Sequence, residues 1–283
     1  MVLFPRTEIG GLSVSRMILG TNWMLGYSHT TLAADDMIRL RYDAAEAFKP
    51  VLETALLHGV DTVMAPFSGA PKLVEAIKET EQKTGTGMIL IDTPIIDVSN
   101  NPTARQSAAQ AIRACADRGA QICLIHHASC EKLVNKERGV IDRLDDYTKM
   151  IRDAGMIPGL SAHMSEIPIY CDRNEYDVET YIQIFNCMGF LMQVEIETVA
   201  RNIQNAKKPV ITIKPMAAGR CSPYVGLTFS WNAIRSQDMV TAGVFSADEL
   251  AEDIEISLAA IEHRFPQIKR RSSPSKNQAA FGN

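Results

Sequence analysis

Two adjacent histidines, His126 and His127, follow an apolar run, and a third, His163, stands just past another. Lys214 ends one further run of this kind and Asp92 follows another. A carboxylate with two imidazoles, Asp92 with His126 and His163, could serve as an acid–base set or hold a divalent metal. An amine drawn out of water has a lowered pKa, which suits Lys214 to nucleophilic or Schiff-base chemistry. No H-x-x-x-H spacing accompanies these residues, so a metal would need ligands gathered from separate segments. Each residue also has a plainer reading. A histidine is often packed and hydrogen-bonded beneath a loop, and Lys214, with Arg220 nearby, could simply neutralise a ligand's carboxylate or phosphate.

The elements that must position these groups are legible as a rhythm. Short apolar or β-branched runs alternate with longer amphipathic stretches, the pattern of βαβ units around a parallel sheet. Eight runs read as strands, over 16–20, 61–64, 88–91, 121–125, 156–160, 180–185, 210–213 and 238–242. Eight strands close a (β/α)8 TIM barrel, and helical character is clearest over 45–57, 102–118 and 247–263. Gly59, Gly87, Gly119 and Gly155 precede strands, as expected of glycines that end helices. An open doubly wound sheet is the weaker reading, because no G-x-G-x-x-G follows the first strand. A barrel of this type builds its site at the C-terminal strand ends, where Asp92, His126, His127, His163 and Lys214 fall.

Composition narrows the partners. The 283 residues are 46% hydrophobic and carry a formal net charge of -4, which offers no basic footprint for nucleic acid or an anionic membrane. A small-molecule substrate is the expected partner, and association of copies is left open. The N-terminus lacks a signal-peptide pattern and no apolar run reaches the roughly 18 to 20 residues of a membrane span, so a cytoplasmic protein is expected. Six cysteines without a C-x-x-C read as reduced thiols, most of them packing residues. One domain is expected over 1–267, with a loose polar tail over 268–283.

Several segments resemble the aldo-keto reductase superfamily, in the right order. The opening Pro5-Arg-Thr-Glu-Ile-Gly-Gly-Leu-Ser-Val-Ser-Arg-Met-Ile-Leu-Gly-Thr21 is similar to the family's N-terminal hairpin and first barrel strand. Gly159-Leu-Ser-Ala-His163 resembles a fifth-strand G-x-S-x-H, and Gln183-Ile-Phe-Asn186 a sixth-strand Q-x-x-[YF]-N that is here one residue shorter. The segments 210–220 and 242–250 are similar to the seventh and eighth strands with their loops. The resemblance implies an aldo-keto reductase-like barrel and assigns His126, by register, as the inward histidine of the pair. It also implies that Ser161, Gln183 and Asn186 surround a nicotinamide, with Arg220 and Ser246 at the rest of a dinucleotide site.

The family's catalytic set is not intact. Met64 stands where the second-strand Asp belongs, Phe67 is offered in place of the Tyr, and Asp92 or Thr93 replaces the third-strand Lys. Only His126 matches. Phe cannot donate a proton, so the standard reductase mechanism lacks its acid. The acidic stretch 246–253 disfavours NADP and leaves NAD open, although Asp248 and Glu249 also suit the first turn of a helix capped by Ser246. Three functions are therefore carried forward. The first is non-redox acid–base chemistry on a small polar or sugar-like metabolite, with His126, Asp92, His163 and Lys214. The second is an NAD(P)-linked reductase with Tyr27 or Tyr224 as substitute acid. The third is a non-catalytic binder whose pocket is filled by Met24, Met64 and Phe67.

Overall fold

The computed structural model describes residues 3–268; the tail expected beyond them lies outside the described residues. A hairpin of β1 (Arg6–Ile9) and β2 (Leu12–Ser15) comes first, turned at Gly10 and Gly11 with φ of +55° and +82°. The strands β3 (Met17–Gly20), β4 (Thr62–Ala65), β5 (Ile89–Asp92) and β6 (Ile122–Ile125) follow. After a small ladder of β7 (Val134–Asn135) and β8 (Val140–Ile141) come β9 (Ile157–Ser161), β10 (Tyr181–Ile184), β11 (Val210–Ile213) and β12 (Met239–Gly243). Strands β3, β4, β5, β6, β9, β10, β11 and β12 pair in parallel, and β12 closes on β3. All eight strands expected from the sequence are present, each within a few residues of its expected bounds.

Helices form the outer layer: α1 (Leu32–Arg41), α2 (Lys49–Leu57), α3 (Pro71–Thr84), α4 (Pro102–Asp117) and the single turn α5 (His127–Cys130). They continue with α6 (Leu144–Asp153), α7 (Ile167–Asn174), α8 (Ile196–Asn205), α9 (Pro223–Ala233) and α10 (Ala247–Ile261). Local chemistry sets their ends. Asn101 accepts from the Ala104 N–H at 2.9 Å with Pro102 behind it, so α4 starts there, and it buries Ala104, Ala108, Ile112 and Cys115 along one stripe. Ser246 caps α10 through the Glu249 N–H at 3.2 Å, while the Glu249 carboxylate reaches back to the Phe245 N–H. Gly59, Gly119 and Gly155 take the left-handed conformation expected of them. Gly87 does not; the residue ending α3 in that conformation is Gly85, with φ +68°.

Two cores result from the alternation of side chains along each strand. Ile18, Ile91, Ile122, Leu124, Ile182, Ile211 and Met239 fill the barrel interior, and Ile9 and Val14 of the hairpin join this cluster. Val63, Leu90, Cys123, Leu160, Tyr181 and Val240 face the helices instead. Gly159 takes an interior position where a Cβ would collide with Leu124 and stand 2.8 Å from the Thr180 carbonyl oxygen, so the fifth barrel strand needs glycine there. This inside–outside parity decides which strand-end residues reach the mouth of the barrel.

Candidate functional site

A cavity of about 710 Å³ opens at the C-terminal ends of the strands, the face where barrels of this architecture carry their chemistry. Lys214, directly after β11, lines it. Its backbone sits in the left-handed region at φ +61°, a conformation that costs a β-carbon residue of order 1–3 kcal/mol. Ala217, Ala218 and Gly219 repeat that conformation in the following loop. His29, from the loop after β3, is also left-handed at φ +56°, and its Nε2 meets Lys214 Nζ at 2.8 Å. Both partners of one contact are thus held in costly backbone states, as happens where a side chain is aimed for use.

Burial lowers the Lys214 pKa to about 8, and among the described residues no carboxylate pairs with its amine. His29 is shifted downward as well, first by burial and then by the charge of Lys214. At pH 7 about a tenth of Lys214 is then uncharged, against roughly three parts in ten thousand for an ordinary lysine. The free amine can accept a proton.

Three imidazoles face this amine across the cavity: His126, His127 and His163 all line it. His126 has the parity of Ile122 and Leu124, the inward faces of β6. Its Nδ1 accepts from the Ala128 N–H at 3.3 Å, which leaves the proton on Nε2. Burial, then the neighbouring His127, pushes its pKa down to about 4, so the ring is a neutral hydrogen-bond donor at physiological pH rather than a strong acid. His127 and His163 stack with ring centres 3.7 Å apart and planes at 20°. Burial, followed by the charges of His127 and Lys214, lowers His163 to about 3.

The other sequence candidates divide. Ser161 lines the cavity and Arg220 stands at its edge, exposed, its guanidinium over the Phe190 ring and donating to the Ala217 carbonyl. Asp92 does not join them. Ile89 and Ile91 point inward from β5, so Asp92 points toward the helices, where Arg118 donates to it at 2.8 and 3.2 Å and the Phe67 N–H at 3.2 Å. It is fully buried and holds the fold, which removes it from the acid–base set. Gln183 shares the outward parity of Tyr181 and donates to the Met164 and Ile182 carbonyls. Asn186 shapes the next turn by accepting from the Met188 and Phe190 N–H groups. Neither lines the cavity, and Ser246 is occupied as a helix cap.

The rest of the wall bears on the remaining alternatives. Met64 lines the cavity, but Met24 and Phe67 pack in the outer core, so the three do not fill the pocket. At the α10 end the wall is acidic, with Glu249, Glu252 and the nearly buried Asp253, whose pKa is raised to about 8 by burial and then by the two glutamates. Tyr27 reaches the cavity and Tyr224 does not. The sequence reading missed His29 and Glu131, whose carboxylate lies beside His127 and His163.

No family model matches the sequence, and no curated protein matches it. Solved structures do. A protein of Pseudomonas aeruginosa described as an aldo-keto reductase is 14% identical, with a TM-score of 0.65 over 90% of this chain and 96% of that one. An aldo-keto reductase from Klebsiella pneumoniae, solved in complex with NADPH, is 12% identical with a TM-score of 0.59 over 95% and 98%. The BexX/CysO complex of Amycolatopsis orientalis gives 13% identity and a TM-score of 0.56 over 94% and 100%. At such identities the likeness establishes the fold alone, a closed (β/α)8 barrel shared with these proteins. No helix among the described residues is long and apolar enough to cross a membrane.

Proposed function

We propose that this barrel is a non-redox enzyme that moves a proton beside the carbonyl of a small polar metabolite, sugar-like in its hydroxyls, as an isomerase or lyase does. The observation that carries the reading is Lys214: a strained, desolvated amine without a carboxylate partner, facing neutral imidazoles across an open cavity. Its uncharged form takes the proton from the carbon next to the carbonyl. The electron pair left behind moves onto the carbonyl oxygen, where the Nε2–H of His126 donates to the developing negative charge. For isomerisation the hydroxyl proton on the carbon that lost its hydrogen moves to the former carbonyl oxygen, and the ammonium, held at 2.8 Å from His29, returns its proton to the neighbouring carbon. Arg220 at the edge suits a carboxylate or phosphate on the same molecule.

The test is proton exchange. The purified protein is incubated in D2O with a panel of hydroxyketones and hydroxyaldehydes, with and without a carboxylate or phosphate, and loss of the α-proton is followed by NMR. Enzyme-dependent exchange with at least one member is expected; its absence across the panel contradicts the reading.

A reductase reading draws on one observation, that the Tyr27 ring lines the cavity and would supply the acid missing at Phe67. The acidic wall of α10 and the engagement of Gln183 and Asn186 elsewhere favour the first reading. Trp23 lines the same cavity, so its fluorescence reports occupancy. Titration with NADH or NADPH to millimolar concentration is expected to leave it unquenched after correction for absorbance, and saturable quenching would favour the reductase.

A further inference from the structure

We propose that His127, Glu131 and His163 form a binding site for one divalent transition-metal ion of the zinc, iron(II) or cobalt(II) class at the edge of the cavity. This site adjoins Lys214 on the same cavity wall, but its ability to bind an ion does not depend on the proton chemistry proposed above. His127 opens the turn α5, and the chain continues helically through Glu131, whose φ and ψ are −67° and −23°. Residues four apart on a helix share a face, so the imidazole and the carboxylate lie side by side. His163 enters from the loop after β9 and stacks on His127. One donor atom from each of the three residues lies within 4.8 Å of the other two. Ligand atoms held at about 2.0–2.2 Å from a tetrahedral zinc stand about 3.4 Å apart, so binding one ion turns the two stacked rings until their nitrogens converge.

The carboxylate is already oriented. Glu131 Oε1 accepts the backbone N–H groups of His163 at 2.5 Å and Met164 at 2.9 Å, so the loop that brings the third ligand also fixes the second. Groups that orient a ligand in this way contribute strongly to metal affinity. Among the described residues Oε2 has no hydrogen-bond partner, and it is the atom left to bind an ion. Two imidazoles and one carboxylate leave coordination positions open, as in catalytic rather than structural sites. Because His127 and His163 both line the cavity, those positions face it. Glu131 offsets one of the ion's two charges, and an anionic oxygen, from hydroxide or a ligand, offsets the other.

Cobalt(II) is the probe. The chain is stripped with chelator, titrated with cobalt chloride, and followed by visible absorption. One equivalent is expected to produce d–d bands of a low-coordinate site without sulfur-to-cobalt charge transfer, reversed by one equivalent of zinc. Glu131→Gln keeps the acceptor for both backbone N–H groups and removes only the charge, so it is expected to fold with an unchanged circular dichroism spectrum and to bind at least a hundredfold more weakly. His163→Gln is expected to do the same. Cys221→Ser, at a half-buried thiol that also lines the cavity, is expected to bind as the parent does. Absence of stoichiometric bands, thiolate charge transfer lost in Cys221→Ser, or unweakened binding in both ligand variants would overturn the site.

Discussion

Lys214→Met should lower α-proton exchange by roughly 10²- to 10⁴-fold, the range expected when a positioned acid–base group is removed. The fold should survive, because Met fills similar space at a half-buried position and needs no hydration there. Lys214→Arg separates two roles. A guanidinium retains the positive charge but cannot be deprotonated, so it would support anion binding and not proton abstraction. Loss of exchange in both variants is therefore expected, checked by NMR in D2O at saturating substrate. The pH profile carries the sign. A base must be uncharged, so with a pKa of about 8 the rate rises as pH rises, close to tenfold per unit below pH 8, and levels off above it. A lysine that only bound an anion would give the opposite slope, with activity falling as the amine lost its charge.

The second large effect falls on stability. Asp92→Ala leaves the Arg118 guanidinium without its carboxylate and the buried Phe67 N–H without an acceptor. Breaking a buried pair in this way costs about 3–5 kcal/mol, which for a chain of this size lowers Tm by roughly 6–20 °C. Calorimetry or thermal circular dichroism checks the loss. Exchange activity per folded molecule, measured well below the lowered Tm, should stay within about twofold of the parent, because Asp92 faces the helical layer and not the cavity. A drop in activity without loss of stability would return Asp92 to the active site.

The misplacement of Asp92 has a physical origin. Ile89, Leu90 and Ile91 are apolar on both faces, as in any parallel strand covered on two sides, so the sequence of β5 has no polar alternation from which to read its parity. Closure of the barrel sets that parity, through the pairing of β5 with β4 and β6. The order and number of strands were legible because Gly59, Gly119 and Gly155 and the capped starts of α4 and α10 punctuate them locally. His126 was legible for the same local reason, one residue past a clear apolar run. Gln183 and Asn186 stand outside the cavity wall, and a match in residue type says nothing of which way a side chain turns on β10 or just after it.

His29 and Glu131 escaped the sequence for different reasons. His29 is 185 positions from Lys214 and comes from a loop without periodicity, so only the tertiary fold joins them. The signal for Glu131 was present as His-x-x-x-Glu, a ligand spacing that has meaning only if the chain turns helical after His127. Ala128-Ser-Cys does not announce that turn; the capping of the Ala128 N–H by His126 does.

The amine of Lys214 can be titrated without any substrate. Brief labelling with acetic anhydride at a series of pH values, read by mass spectrometry of the peptide carrying Lys214, follows the fraction of uncharged amine. A midpoint near pH 8 is predicted, and exposed lysines such as Lys83 and Lys149 are followed in the same experiment as internal references. A Lys214 midpoint at or above that of the reference lysines would contradict the account.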